Sequence, residues 1–112
     1  MKIYHNPRCR KSRETLSIIQ DKGIDIEIVE YLKEPPTNEE LVAVLKKLKM
    51  SAEAIIRKGE SVFKDNYKGK IFSEGEWIEV LIKNPVLIER PIVIKGDKAV
   101  LGRPPKNVLK LL

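Results

Sequence analysis

The sequence predicts an α/β domain running strand, helix, strand, several helices, β-hairpin, helix, and three observations predict it. A short apolar strand pattern at residues 1–4 feeds a turn and then a helical repeat; two capping-box patterns mark helices in the middle of the chain; a glycine-led turn near the end joins two apolar runs. At 112 residues and 42% hydrophobic content the chain suffices for one ordinary core and not for two, so a single domain over 1–112 is expected.

Asn6-Pro7 marks the first turn, because proline fixes its own backbone angle and biases the residue before it away from helix. Residues 9–22 suit a helix that carries Leu16 and Ile19 inward, closed by Gly23 in a left-handed conformation. Ile24, Ile26 and Ile28 alternate with Asp25 and Glu27 as a second strand does when one face is wetter. After Pro35-Pro36, Thr37 and Glu40 form a capping box in front of Leu41, Val44, Leu45 and Leu48 at helical spacing. Ser51 is read as the cap of a short helix carrying Ile55, Ile56 and Arg57, and Ser73 with Glu76 as a second capping box before Trp77, Val80 and Leu81, with Asn84-Pro85 as its stop. Gly96-Asp97 between Ile92-Val93-Ile94 and Ala99-Val100-Leu101 fits a type II′ hairpin turn. Pro104 and Pro105 open a last helix whose apolar face is Val108, Leu109 and Leu112.

No apolar run approaches the roughly 20 residues of a membrane helix and no stretch follows the signal-peptide pattern, so a cytoplasmic protein without membrane contact is expected. One cysteine excludes an internal disulfide, and one cysteine with one histidine leaves too few nitrogen and sulfur ligands for a structural metal. The net charge of +6 is spread over lysines interspersed with acids, which argues against a nucleic-acid stripe. Arg8, Arg10, Lys11 and Arg13 are the exception. They crowd around Cys9 with no acid before Glu14, a local field suited to a small anion or to a thiolate.

Cys9 is the candidate nucleophile, since a helix amino terminus and adjacent cations both favour the thiolate over the thiol. Ser12 completes a Cys-x-x-Ser segment: either its hydroxyl, one helical turn on, hydrogen-bonds the sulfur anion, or it is a neutral early-helix residue. With no second thiol in the chain, any adduct on Cys9 must be released by an external thiol such as glutathione or a glutaredoxin. His5 either acts on the cysteine proton or ends the first strand with its ring packed. Asn6 either orients the loop by hydrogen bonds or is an ordinary turn residue.

The stretch His5-Asn6-Pro7-Arg8-Cys9-Arg10-Lys11-Ser12-Arg13 resembles the active-site signature of the arsenate reductase family that uses glutathione and glutaredoxin. Tyr31-Leu32-Lys33-Glu34-Pro35-Pro36, Ile55-Ile56-Arg57-Lys58, the run from Asn84 to Val93 and Gly102-Arg103-Pro104 resemble that family's other blocks in the same order. The resemblance implies a thioredoxin-like (glutaredoxin-like) four-stranded mixed sheet flanked by helices, with a helical insertion between strands 2 and 3 and a cis peptide at Arg90-Pro91. It assigns anion binding to Arg57, Arg90 and Arg103, with Asn6 and Arg13 as further candidates beside the cysteine. Guanidinium groups suit the task, because a dianionic oxyanion approaching a thiolate needs permanent positive charge to offset the repulsion. The implied activity is reduction of arsenate to arsenite: Cys9 attacks arsenic, glutathione attacks the adduct, and glutaredoxin regenerates the thiol. Glutathione is then a co-substrate, no cofactor or metal is bound, and a monomer is expected. Two other readings stand beside it. A regulator resembling the Spx type would bind RNA polymerase, without the disulfide switch because Ser12 replaces its second cysteine. A monothiol glutaredoxin-like oxidoreductase would act on glutathione mixed disulfides.

Overall fold

The computed structural model describes residues 1–112, and they form two compact units: Met1–Glu34 together with Arg90–Leu112, and the intervening Pro35–Glu89. The first unit holds a four-stranded sheet in the order β2-β1-β3-β4, made of β1 (Lys2–Tyr4), β2 (Glu27–Val29), β3 (Ile92–Lys95) and β4 (Lys98–Leu101). β1 runs parallel to β2 and antiparallel to β3, which pairs antiparallel with β4. Helix α1 (Arg10–Asp21) links β1 to β2 and a 3-10 helix (Pro105–Leu111) ends the chain. Ile3 lies opposite Val93 in the sheet register, and both pack with Ile19 of α1 and with Val108 and Leu111 of the final helix. Each such side chain, fully removed from water, contributes on the order of 1.5–3 kcal/mol.

The second unit is the helical insertion: α2 (Asn38–Leu48), α3 (Ser61–Asn66) and α4 (Glu74–Lys83), with short 3-10 turns at Glu53–Ile55 and Pro85–Leu87. Both capping boxes form as the sequence predicts. Thr37 accepts from the Glu40 N–H while the Glu40 carboxylate accepts from Thr37 N–H, and Ser73 and Glu76 do the same for α4. Leu41, Leu45, Ile55, Trp77, Leu81 and Leu87 are buried within this unit. No helix of the chain is long and apolar enough to cross a membrane.

The structure corrects three sequence expectations and adds one helix. β2 begins only at Glu27, so Ile24 and Ile26 pack as half-buried side chains outside a ladder. The turn after Ser51 ends at Ile55, so Ile56 is extended and bridges Ile88, and Arg57 lies outside any helix. Helix α3 has no sequence expectation; it spans six residues, its cap residue Glu60 makes no side-chain cap bond and Phe63 is its one buried residue, so neither cap nor period announces it. The final helix is 3-10, and its three-residue repeat buries Val108 and Leu111 in place of Leu109, which is exposed. The hairpin keeps its turn: Gly96 has φ 60° and Asp97 does not share a positive φ, as type II′ requires.

Candidate active site

Cys9 stands at the N-cap of α1, the position where a serine or aspartate oxygen ordinarily accepts the free N–H groups of the first turn. No oxygen takes that place. The Cys9 sulfur is half-buried, and burial pushes its thiol up; the Ser12 N–H, the hydrogen bond and charge of Arg90, and the Lys11 N–H together outweigh burial and hold it below the usual thiol range. The loop that presents it is tied by its own backbone. Cys9 N–H donates to the Asn6 carbonyl at 3.0 Å, Arg8 N–H donates to Asn6 Oδ1 at 3.0 Å, and Arg13 Nη1 donates to the Pro7 carbonyl at 3.0 Å.

The Ser12 side chain does something other than reach the sulfur. It is fully buried, its Oγ lies 2.6 Å from His5 Nδ1 and accepts from Asn6 N–H at 3.0 Å, so the hydroxyl is committed beneath the loop and its backbone N–H serves Cys9. His5 continues β1, donating its N–H to Val29 at 2.8 Å, and its ring is buried. Burial lowers the imidazole pKa, as does the Arg13 charge, against a smaller opposing pull from Glu30 that does not prevail, so the ring stays neutral near pH 7. The geometry makes His5 and Ser12 supports of the cysteine loop.

The local basic cluster also differs from the sequence expectation. Arg10 points outward and pairs with Glu14 at 2.9 Å, and Arg8 and Lys11 are exposed. The cation that acts on the sulfur comes from the far end of the chain: Arg90, just before β3. Burial works against the Arg90 charge, but the hydrogen bond to Cys9 and the presence of Tyr31 raise its pKa further, so it remains charged. The guanidinium is thereby held between the Cys9 sulfur and the Tyr31 hydroxyl. Arg103 donates from Nη1 to the Arg90 backbone carbonyl at 3.1 Å, tying its side chain to the segment that carries Arg90. Gly102 brings Arg103 in: Thr15 of α1 packs so closely on it that a Cβ there would lie 2.5 Å from Thr15 Oγ1 and 2.7 Å from Pro91 Cγ. The Arg90-Pro91 bond is cis, and so is Arg103-Pro104.

Arg57 belongs to the other unit. There its guanidinium pairs with Glu60 at 3.3 Å and Glu89 at 3.9 Å, and its N–H donates to the Leu87 carbonyl at 2.7 Å. Sequence reasoning missed Tyr31, whose completely buried hydroxyl acts on Arg90. Its signals were an aromatic residue two positions after a strand, which by itself reads as core, and its place at the head of a block that resembles the family.

A mixed four-stranded sheet with a helical insertion after its second strand, carrying one low-pKa cysteine at the amino end of its first helix, defines a thioredoxin-like domain. The ArsC family model matches residues 4–111, and the chain belongs to that family. It is 44% identical to the uncharacterized protein YfgD of Escherichia coli, over 100% of this chain and 96% of that one. It is 42% identical to the arsenate reductase of Haemophilus influenzae, over 98% and 97%. The solved arsenate reductase from Vibrio cholerae superposes with a TM-score of 0.94 at 38% identity, over 100% of this chain and 98% of the other.

Proposed function

We propose that this chain reduces arsenate to arsenite, with Cys9 as the nucleophile. The observation that carries the reading is the Cys9 sulfur at the N-cap of α1, where two N–H groups of the first helical turn and Arg90 hold its thiol pKa below the ordinary value. A depressed thiol pKa raises the share of attacking thiolate, and a guanidinium beside it offsets the repulsion between that thiolate and an arsenic oxyanion. Sulfur attacks arsenic, an As–O bond breaks, and the oxygen leaves as water. Two electrons then pass to arsenic, from As(V) to As(III), as an external thiol takes up the Cys9 sulfur and the arsenite departs. A second external thiol closes the cycle, so the sum is arsenate plus two thiols giving arsenite, a disulfide and water.

Glutathione and a glutaredoxin are the proposed thiol sources, the cytoplasm the proposed setting and a monomer the working unit; the cycle uses no bound metal or organic cofactor. Arg90 and Arg103 are the proposed anion ligands, with Asn6 and Arg13 shaping the loop beneath and His5 and Ser12 as its positioning residues. Arg57 joins them on the resemblance alone, and its two carboxylate partners already balance its charge. Steady-state formation of arsenite from arsenate with glutathione and glutaredoxin tests the reading. Turnover by the native chain that disappears in Cys9→Ser supports it, and a native chain no faster than background overturns it.

A further inference from the structure

The helical insertion carries a second feature that the thiol chemistry does not use. A cleft of about 520 Å³ opens between α3, the segment after it and α4, with Phe63, Trp77 and Ile71 as its apolar lining and Lys58, Lys64, Lys68 and Lys70 around it. The Phe63 and Trp77 rings stack at 6.3 Å and are themselves buried, so they form a floor and not a stacking platform. Ile71 is 97% exposed, the most exposed large apolar side chain of the molecule. All four lysines are exposed; Lys58 pairs with Glu53 at 3.4 Å, whereas Lys64, Lys68 and Lys70 make no ion pair. An isoleucine in water beside three uncompensated ammonium groups is a combination that solubility alone does not require.

We propose that this cleft docks an acidic segment of a partner protein, with one apolar side chain seated between Phe63, Ile71 and Trp77 and flanking carboxylates on Lys64, Lys68 and Lys70. Charge complementarity selects the sign of the partner. Ile71 selects its size, because a small molecule inside the cleft leaves the rim isoleucine wet, and a chain lying across the rim covers it. The concave, ring-floored shape accepts a projecting side chain, which a flat bilayer does not offer. A nucleic acid would look for exposed aromatic faces and arginines, and the cleft has neither. Another copy of this chain is a poor occupant: its own acidic stretch around β2 presents Ile28 and Leu32 at 45% and 44% exposure, neither projecting fully.

The test uses the full chain, isotopically labelled, titrated with a synthetic peptide in which a Leu-Phe pair is flanked on each side by three aspartates or glutamates. Saturable amide shifts confined to residues 58–71 and α4, weakened at least tenfold by Lys68→Glu or by Ile71→Asp and absent with a lysine-flanked peptide, are expected. Both substituted positions are exposed, and unchanged circular dichroism will show that the variants fold. No saturable shift at millimolar peptide, or shifts elsewhere, overturns the proposal. So does a cleft that binds phosphatidylserine vesicles or single-stranded DNA more tightly than the peptide, or self-association seen in sedimentation that Ile71→Asp abolishes.

Discussion

The two units spend their interiors differently. Every buried side chain classed as polar, His5, Asn6, Ser12 and Thr15, lies within eleven residues of the sheet-bearing unit, whereas the core of Pro35–Glu89 is built from Leu41, Val44, Leu45, Ile55, Phe63, Trp77, Leu81 and other apolar side chains. Burying a polar group costs free energy unless its bonds are remade inside, so a cluster of them is retained only where their mutual bonds hold something in position. Here that is the loop carrying Cys9. The inserted unit, free of that demand, is organised by capping boxes and apolar packing.

Substitutions sharpen this contrast. Leu81→Ala, at a fully buried position of the insertion, is expected to lower stability by about 2–5 kcal/mol in denaturant unfolding while leaving the thiolate absorbance titration of Cys9 where it was. A shift in that titration would break the comparison. Arg90→Ala is expected to do the reverse, raising the Cys9 pKa and lowering kcat/KM for arsenate by ~10²–10³-fold with a smaller loss of stability, and Arg57→Ala is expected to cost less. Ser12→Ala removes the acceptor of the Asn6 N–H and the partner of His5 Nδ1, so about 1–3 kcal/mol of stability is expected to go, together with a shift in Cys9 alkylation rate.

The smallest effect is the pH response. The folded-state pKa of His5 is lowered, so between that value and its ordinary 6.5 the unfolded chain binds more protons. Stability is therefore full above 6.5 and declines as pH falls toward the folded-state value, and thermal midpoints across mild acid will read it. The Cys9 thiol has the same sign: its alkylation rate is expected to fall with pH through a midpoint lower than that of an ordinary thiol.

Local signals in the sequence carried both capping boxes, the hairpin turn and the cysteine at a helix start, because each depends on residues within a few positions. The first turn of α1 is likewise local, so a lowered thiol pKa was legible at Cys9. What was not legible is which groups lower it. The basic neighbours Arg8, Arg10 and Lys11 are exposed, Arg10 pairing with Glu14, while Arg90, 81 positions away, needed the sheet to arrive beside the sulfur. Ser12 was misdirected for a related reason: helical spacing points it at Cys9, but the return of β1 beneath the helix offers His5, a buried partner seven residues back. The last helix follows three-residue spacing over seven residues, and nothing in the sequence announces that winding in place of an α turn.

The cradle of N–H groups around Cys9 also governs how easily the cysteine lets go. Whatever lowers the energy of the free anion makes that sulfur a better leaving group, since the donors regain their charge partner when a bond to it breaks. Any covalent bond Cys9 forms is thus biased toward dissolution, and a chain with a single thiol is disposed to hand its cargo on instead of keeping it.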